Sequence, residues 1–248
     1  MNPIGSLIAM GIGFIIGFIF KRTKERWQHS SFRTVCKDLL ARPHEVNLVL
    51  TTRSTKNTSV HRDEYRHVDL FEVQAYEDLS CTLRIFGIKT WLCPSTEVSN
   101  VLSLRHLFVL GRPTFNAASL QVWNSISERF TSIEFGETDK NGDPPSWMKI
   151  DKTYFRSRLD DDANVILDYC VLIRTSNPFE NANSTAILAF GLHGRGTKAV
   201  TSKGAFDTIK HELKKRNIIG DFMIVLEAKF TKDKGPRFEF KEVHRPKV

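Results

Sequence analysis

The apolar and polar positions of the chain fall into three regimes. From Ile4 to Phe20, seventeen residues carry no charge (IGSLIAMGIGFIIGFIF), and Lys21, Arg22, Lys24 and Arg26 follow at once. From Glu45 onward, apolar runs alternate with stretches of helical periodicity, divided by segments rich in Gly, Pro, Asn and Asp. Between these lies Thr23 to Arg42, basic and partly amphipathic, with Trp27 and Phe32 expected at a membrane interface and Pro43 closing it.

As a helix the first run is about 26 Å long, near the lower limit for a hydrocarbon core of about 30 Å. A cleaved signal peptide would carry its positive charge before the apolar core and small residues after it, whereas here the cations follow. The run therefore reads as an uncleaved transmembrane helix over 1–22, with a basic juxtamembrane connector over 23–43 and a cytosolic α/β domain over 44–248. Gly13 and Gly17 form a G-x-x-x-G pair, which lets helix backbones approach closely. Membrane helix packing through them is one reading, and the general abundance of glycine in membrane helices is the other. A single span cannot enclose a pore, so any channel needs several copies.

Within the domain, Glu45–Thr52 reads as a strand followed by a polar loop to Arg62. Asp69–Phe86 has helical spacing and stops at Gly87. Ile88–Cys93 and His106–Leu110 read as strands, Ala117–Phe130 as a helix, Ser132–Phe135 as a strand and Gly136–Trp147 as loop. Val165–Arg174 and Thr185–Phe190 are continuous apolar runs of the kind buried on both faces. A glycine-rich turn then leads into one long helix near Lys198–Lys215, and Phe222–Thr231 with Arg237–His244 forms a closing hairpin around Lys232–Pro236. Strands alternating with helices predict a three-layer α/β fold with a mostly parallel sheet.

The balance of 41% hydrophobic and 26% charged residues is that of a globular domain and excludes wholesale disorder. A formal net charge of +8 favours acidic partners. Between Lys21 and Arg66, however, eleven Lys/Arg face five acids, so most of the excess follows the apolar run and suits an anionic bilayer surface as well as nucleic acid. Cys36, Cys81, Cys93 and Cys170 are too scattered for a zinc site and are expected as free thiols, the last three as small core residues. No metal and no cofactor is expected.

Two loops carry candidate chemistry. Gly191-Leu192-His193-Gly194-Arg195-Gly196-Thr197 lies between a buried strand and a helix, where backbone N–H groups and the helix N-terminus favour an anion. Arg195 and Lys198 would supply charge, His193 a hydrogen bond, and Thr197 a phosphate contact or an N-cap. The loop is neither a Walker A nor a dinucleotide fingerprint, and a tight turn serving geometry alone is the competing reading. The second loop, Leu110-Gly111-Arg112-Pro113-Thr114-Phe115-Asn116, also follows a buried strand. Here Gly111 would allow close approach, Arg112 would meet phosphate, and Asn116 would read a sugar or base or else cap a helix. Ligands of open α/β sheets bind beyond the carboxyl ends of strands, where both loops are expected. Asp69 and Glu72 are weaker candidates for a catalytic carboxylate, Asp69 being equally suited to an N-cap. Asp160-Asp161-Asp162 reads as a cation site or, more simply, a solvated loop.

The strand-G-x-P-x-x-N-helix segment, the DY-x-x-x-I-R-x-x-NPF segment (Asp168 to Phe179) and the G-x-HG-x-GT loop together resemble an uncharacterised group of prokaryotic Rossmann-like domains. Arg112 departs from the G-G-P form of that pattern. One short membrane helix before such a domain also resembles the membrane effectors of bacterial anti-phage systems that answer nucleotide signals, the Hailong effector among them. That resemblance implies a homo-oligomer, such as a tetramer, in the bacterial inner membrane. Its cytosolic domain would bind a nucleotide or short oligonucleotide made by a partner nucleotidyltransferase and so control a pore. A membrane-tethered nucleotide or nucleoside hydrolase or transferase is the alternative, and an anchored scaffold without ligand the third reading.

Overall fold

The computed structural model describes residues 21, 23–26, 28–41, 45–51, 53–55, 65–67, 69–95, 106–136, 147–162, 164–180, 184–231 and 234–247. Two short helices, α1 (Ser30–Val35) and α2 (Lys37–Ala41), precede β1 (Glu45–Leu50) and a strand pair, β2 (Arg53–Thr55) and β3 (Tyr65–His67). Then come α3 (Leu70–Ile85), β4 (Lys89–Pro94), β5 (Leu107–Leu110), α4 (Ala117–Ile126), β6 (Ile133–Phe135), β7 (Trp147–Ile150), β8 (Thr153–Arg156) and β9 (Arg158–Leu159). The chain finishes with β10 (Val165–Ser176), β11 (Thr185–Gly191), α5 (Gly194–Val200), α6 (Lys203–Lys215), β12 (Phe222–Lys229) and β13 (Arg237–His244).

An eight-stranded sheet in the order β13-β12-β10-β11-β5-β1-β4, with β9 added beside β10, forms the middle layer. Its strands alternate strictly between two cores. Leu48, Leu110, Leu172, Ala189 and Ile224 pack on one side with α1, α2, α3, α5 and α6. Val49, Val109, Val171, Leu188 and Val225 pack on the other with α4 and the small antiparallel sheet β6-β7-β8. Burial on both faces is why these strands are written as unbroken apolar runs.

The expected architecture is corrected on the sheet and on the membrane span. The sheet is mixed: β11, β5, β1 and β4 run parallel, but β10 is antiparallel to β11, β12 to β10 and β13 to β12. Apolar runs report that both faces are covered, not which way neighbouring strands run. The connection decides direction. Only residues 177–184 separate β10 from β11, whereas a parallel return needs a crossover of a dozen or more residues. Nor does the structure support a single N-terminal transmembrane helix. Among the described residues no helix is long and apolar enough to cross a membrane, and the apolar run 4–20, with Gly13 and Gly17, lies outside them. Even the sixteen-residue α3 carries Glu77, Asp78 and Arg84 on its exposed face, because only its inward stripe is buried.

Smaller corrections follow the same logic. Phe32, expected at a membrane interface, is 2% exposed and packs against Phe86 and Phe206. The long helix expected near Lys198–Lys215 is two helices, broken at Thr201-Ser202, because the Ser202 hydroxyl caps α6 by accepting the Ala205 N–H. Arg53–Thr55 and Trp147, expected in loops, belong to β2 and β7, because strands of three or four residues are too short to show a period of two. The cysteines are free thiols, but Cys81 is exposed rather than core.

Candidate functional site

Both glycine loops arrive at one place. Strands β5 and β11 are parallel neighbours, so residues 111–112 and 191–197 emerge side by side at the carboxyl edge of the sheet. A cleft of about 330 Å³ opens there, walled by Asp69, Phe71 and Glu72 from the start of α3, Arg112 and Phe115 after β5, Asn164 and Val165 at the start of β10, and the Gly191–Arg195 turn with Thr197. Because β10 is antiparallel to β11, its first residues lie at this same edge.

Helix α3 begins where it does because the Asp69 carboxylate accepts the Phe71 N–H at 2.8 Å. That cap sets Glu72 one turn in, buried at 6% exposure, with its two oxygens accepting the Thr51 N–H (3.0 Å) and the Thr51 hydroxyl (3.1 Å) at the end of β1. Gly111 lies against this pair with φ +104°, and a Cβ there would come within 2.6 Å of Glu72 Oε1. The position needs glycine for both reasons. Arg112, 4% exposed, lays its guanidinium 4.4 Å from the Phe115 ring centroid and 5.5 Å from that of Phe135.

The Gly191–Thr197 turn is held from behind by Asp168. This wholly buried carboxylate of β10 accepts the His193 N–H at 3.0 Å and the Tyr169 N–H at 2.9 Å. Burial raises its pKa from 3.8 to about 7, against the opposing pull of those N–H groups and of Arg112. Gly196 packs on the Asp168 carboxylate and on Gly191, so any side chain there would collide with both. The Thr197 hydroxyl accepts the Gly191 N–H at 3.0 Å and closes the turn. His193 forms a 2.9 Å hydrogen bond through Nε2 with the Ser157 hydroxyl, and burial together with Arg112 holds its pKa below the usual imidazole value.

The sequence-derived candidates therefore divide. Asp69, Glu72, Arg112, Gly191, His193, Gly194, Arg195 and Thr197 line the cleft. Gly111 and Gly196 shape its walls from behind. Arg195 is partly engaged elsewhere, donating to the Val165 carbonyl at 2.7 Å and lying 4.3 Å from the Phe230 ring. Lys198 points to α3 and donates to Gln74 at 2.5 Å. Asn116 is fully buried, caps α4 through the Ser119 N–H and donates to the Leu110 carbonyl at 2.7 Å, so it serves the fold. Asp160 accepts the N–H groups of Asp162 and Asn164 and closes its own loop, and no metal-ligand cluster occurs among the described residues.

Sequence reasoning passed over Asp168 as a site residue, Thr51, Ser157 and the ring of Phe71. Asp168 had a visible signal, an ionisable residue inside an apolar strand run. Ser157 had none, because its partner His193 is 36 residues away.

Fold and site together define a three-layer α/β domain with a polar cleft at the carboxyl edge of its parallel strands. Comparisons with protein-family models, curated proteins and solved structures gave no significant match.

Proposed function

We propose that this cleft binds a nucleotide, and that the protein uses it as a sensor of a nucleotide signal. One observation carries the reading: two separate glycine turns, with Arg112, His193 and Arg195, converge on a single cavity at the sheet edge where α/β domains take such ligands. Arg112, already stacked and desolvated, offers a guanidinium for a phosphate. Phe71 and Phe115 offer aromatic faces. Because Asp69 and Glu72 balance Arg112 and Arg195 on the walls, the cleft suits a mononucleotide better than a polyanionic oligonucleotide. The resemblance of the two loops and of the Asp168–Phe179 segment to Rossmann-like domains, which does not depend on the apolar run 4–20, supports a nucleotide ligand.

Calorimetric titration of the full chain with nucleoside monophosphates tests this. Wild-type protein binds at least one, and Arg112→Ala weakens it by about tenfold or more, the loss expected for a charge-assisted contact. Absence of heat with every nucleotide would reject the reading.

A second reading, a nucleoside or nucleotide hydrolase or transferase, draws on Glu72, a carboxylate fixed by Thr51 within the cleft. Under that reading nucleoside or NAD turnover is detectable and is abolished in Glu72→Gln.

A further inference from the structure

We propose a second anion site, which takes a phosphate group carrying at least two negative charges. It is the cavity between α1, α2, α6 and the last residues of β10, and it is independent of the nucleotide reading. The cleft opens beside Val165, at the start of β10, whereas Arg174 near the end of the same strand reaches a separate cavity of about 300 Å³. Lys37 of α2 and Lys210 and Lys214 of α6 line it together with Arg174, and among the described residues its wall holds no acid. Protein surfaces ordinarily intersperse the two signs, so four cations around one small cavity leave a positive potential that an anion relieves.

Arg174 is the fixed point. Its side chain is 4% exposed, and the guanidinium donates to the Val35 carbonyl at 3.0 Å and to the Gly220 carbonyl and lies 5.0 Å from the Phe222 ring centroid. Its Nε has no hydrogen-bond partner, and the carboxylate paired with it, Asp38 Oδ2, stands 3.8 Å away on a side chain 46% exposed to solvent. A buried guanidinium so loosely neutralised gains from an anion held nearby. The lysines are equally short of counter-charge. Lys37 and Lys214 form no ion pair among the described residues, and Lys210 donates to the neutral Ser30 hydroxyl at 3.3 Å. Asp207, within Coulomb range of Lys210 on the same helix, is engaged by Lys203 at 3.1 Å. Lys214, in the last turn of α6, also complements the helix dipole, but Lys37 is the first residue of α2, where the dipole disfavours a cation. Ammonium groups with three donors each adapt to a tetrahedral oxyanion, and several together favour a multiply charged one over a single carboxylate. Such a phosphate comes either free, as a diphosphate, or on a lipid headgroup. Ile219, 78% exposed on the cavity wall, would enter the acyl layer in the second case.

Two probes test the site on the full chain. Pyrophosphate is titrated by calorimetry, and vesicles of phosphatidylglycerol with phosphatidylcholine are compared with pure phosphatidylcholine by sedimentation. Lys37 and Lys214 are exposed, so a variant carrying both Lys37→Ala and Lys214→Ala should fold as wild type while losing about tenfold or more in affinity for the source that fits. A control with Lys89→Ala and Lys152→Ala removes the same charge from exposed positions outside the cavity and should alter binding of either probe by no more than about twofold. Loss of pyrophosphate binding alone in the cavity variant assigns a free phosphate. Loss of binding to the anionic vesicles, with or without that of pyrophosphate, assigns a headgroup. Equal behaviour of the two double variants overturns the proposal, as does pyrophosphate binding that Arg112→Ala abolishes and the cavity variant leaves intact. Wild-type protein that binds neither probe overturns it as well.

Discussion

Asp168 is the residue on which the shape of the cleft turns. Its carboxylate fastens the His193 backbone, yet burial lifts its pKa to about 7 from 3.8. A native pKa above the unfolded one means that the native state binds the proton more tightly. Stability from this group is therefore greatest below about pH 4, declines as pH rises and levels off above about 7. His193 acts in the opposite sense: its depressed pKa makes protonation unfavourable to the fold, so its contribution is present above the unfolded value near 6.5 and is lost as pH falls below it. Thermal melts of wild type and Asp168→Asn between pH 4.5 and 8 separate the two. The melting temperature of the wild type should fall relative to Asp168→Asn as pH rises, by the equivalent of a few kcal/mol at most. Parallel curves would show that Asp168 does not titrate in this range. Asp168 was legible as a charge within an apolar strand, but its partner His193 was not, because only the pairing of β10 with β11 brings them together.

At the scale of elements, the termini of the helices were more legible than their partners. Asp69 before α3, Gly87 after it and Asn116 before α4 stand where the sequence placed them, because a cap is a local contact within three residues. Ser202 is a cap of the same kind within the single helix expected there, and it splits that helix into α5 and α6. The choice between cap and ligand contact at Asn116 is decided by burial and by its bond to the Leu110 carbonyl. Replacing Asn116 with Ala should cost about 2 kcal/mol in denaturant unfolding, the sum expected for a lost cap and an orphaned buried carbonyl. Nucleotide affinity of the folded variant should stay within about twofold of wild type. A selective loss of affinity with unchanged stability would return Asn116 to the binding site.

For the molecule as a whole, α1 and α2 belong to the core. Phe32, Val35, Cys36 and Leu39 are at most 2% exposed, and the buried Arg174 of β10 donates to the Val35 carbonyl at 3.0 Å. Burying each large apolar side chain contributes roughly 1.5–3 kcal/mol, so their joint loss rivals the 5–15 kcal/mol stability of a typical domain. A chain begun at Glu45 should accordingly be insoluble or unfolded by circular dichroism, while one begun at Thr23 retains a cooperative transition. A well-folded protein from Glu45 would show that α1 and α2 are dispensable.

What the residues dictated by themselves is local and scalar. Hydrophobic periodicity located most of the helices and the main strands, continuous apolar runs announced burial on both faces of the sheet, and glycines at strand ends marked the two turns. Strand direction and the contents of the cleft were settled only by the folded chain. Hydrophobicity has magnitude but no direction, so β10 and β12 read alike whether parallel or antiparallel, and the length of the connections chose. Glu72, Arg112 and His193, which line the cavity, and Thr51 and Asp168, which hold Glu72 and His193 in place, stand far apart along the chain, and it is the order β10-β11-β5-β1 that assembles them.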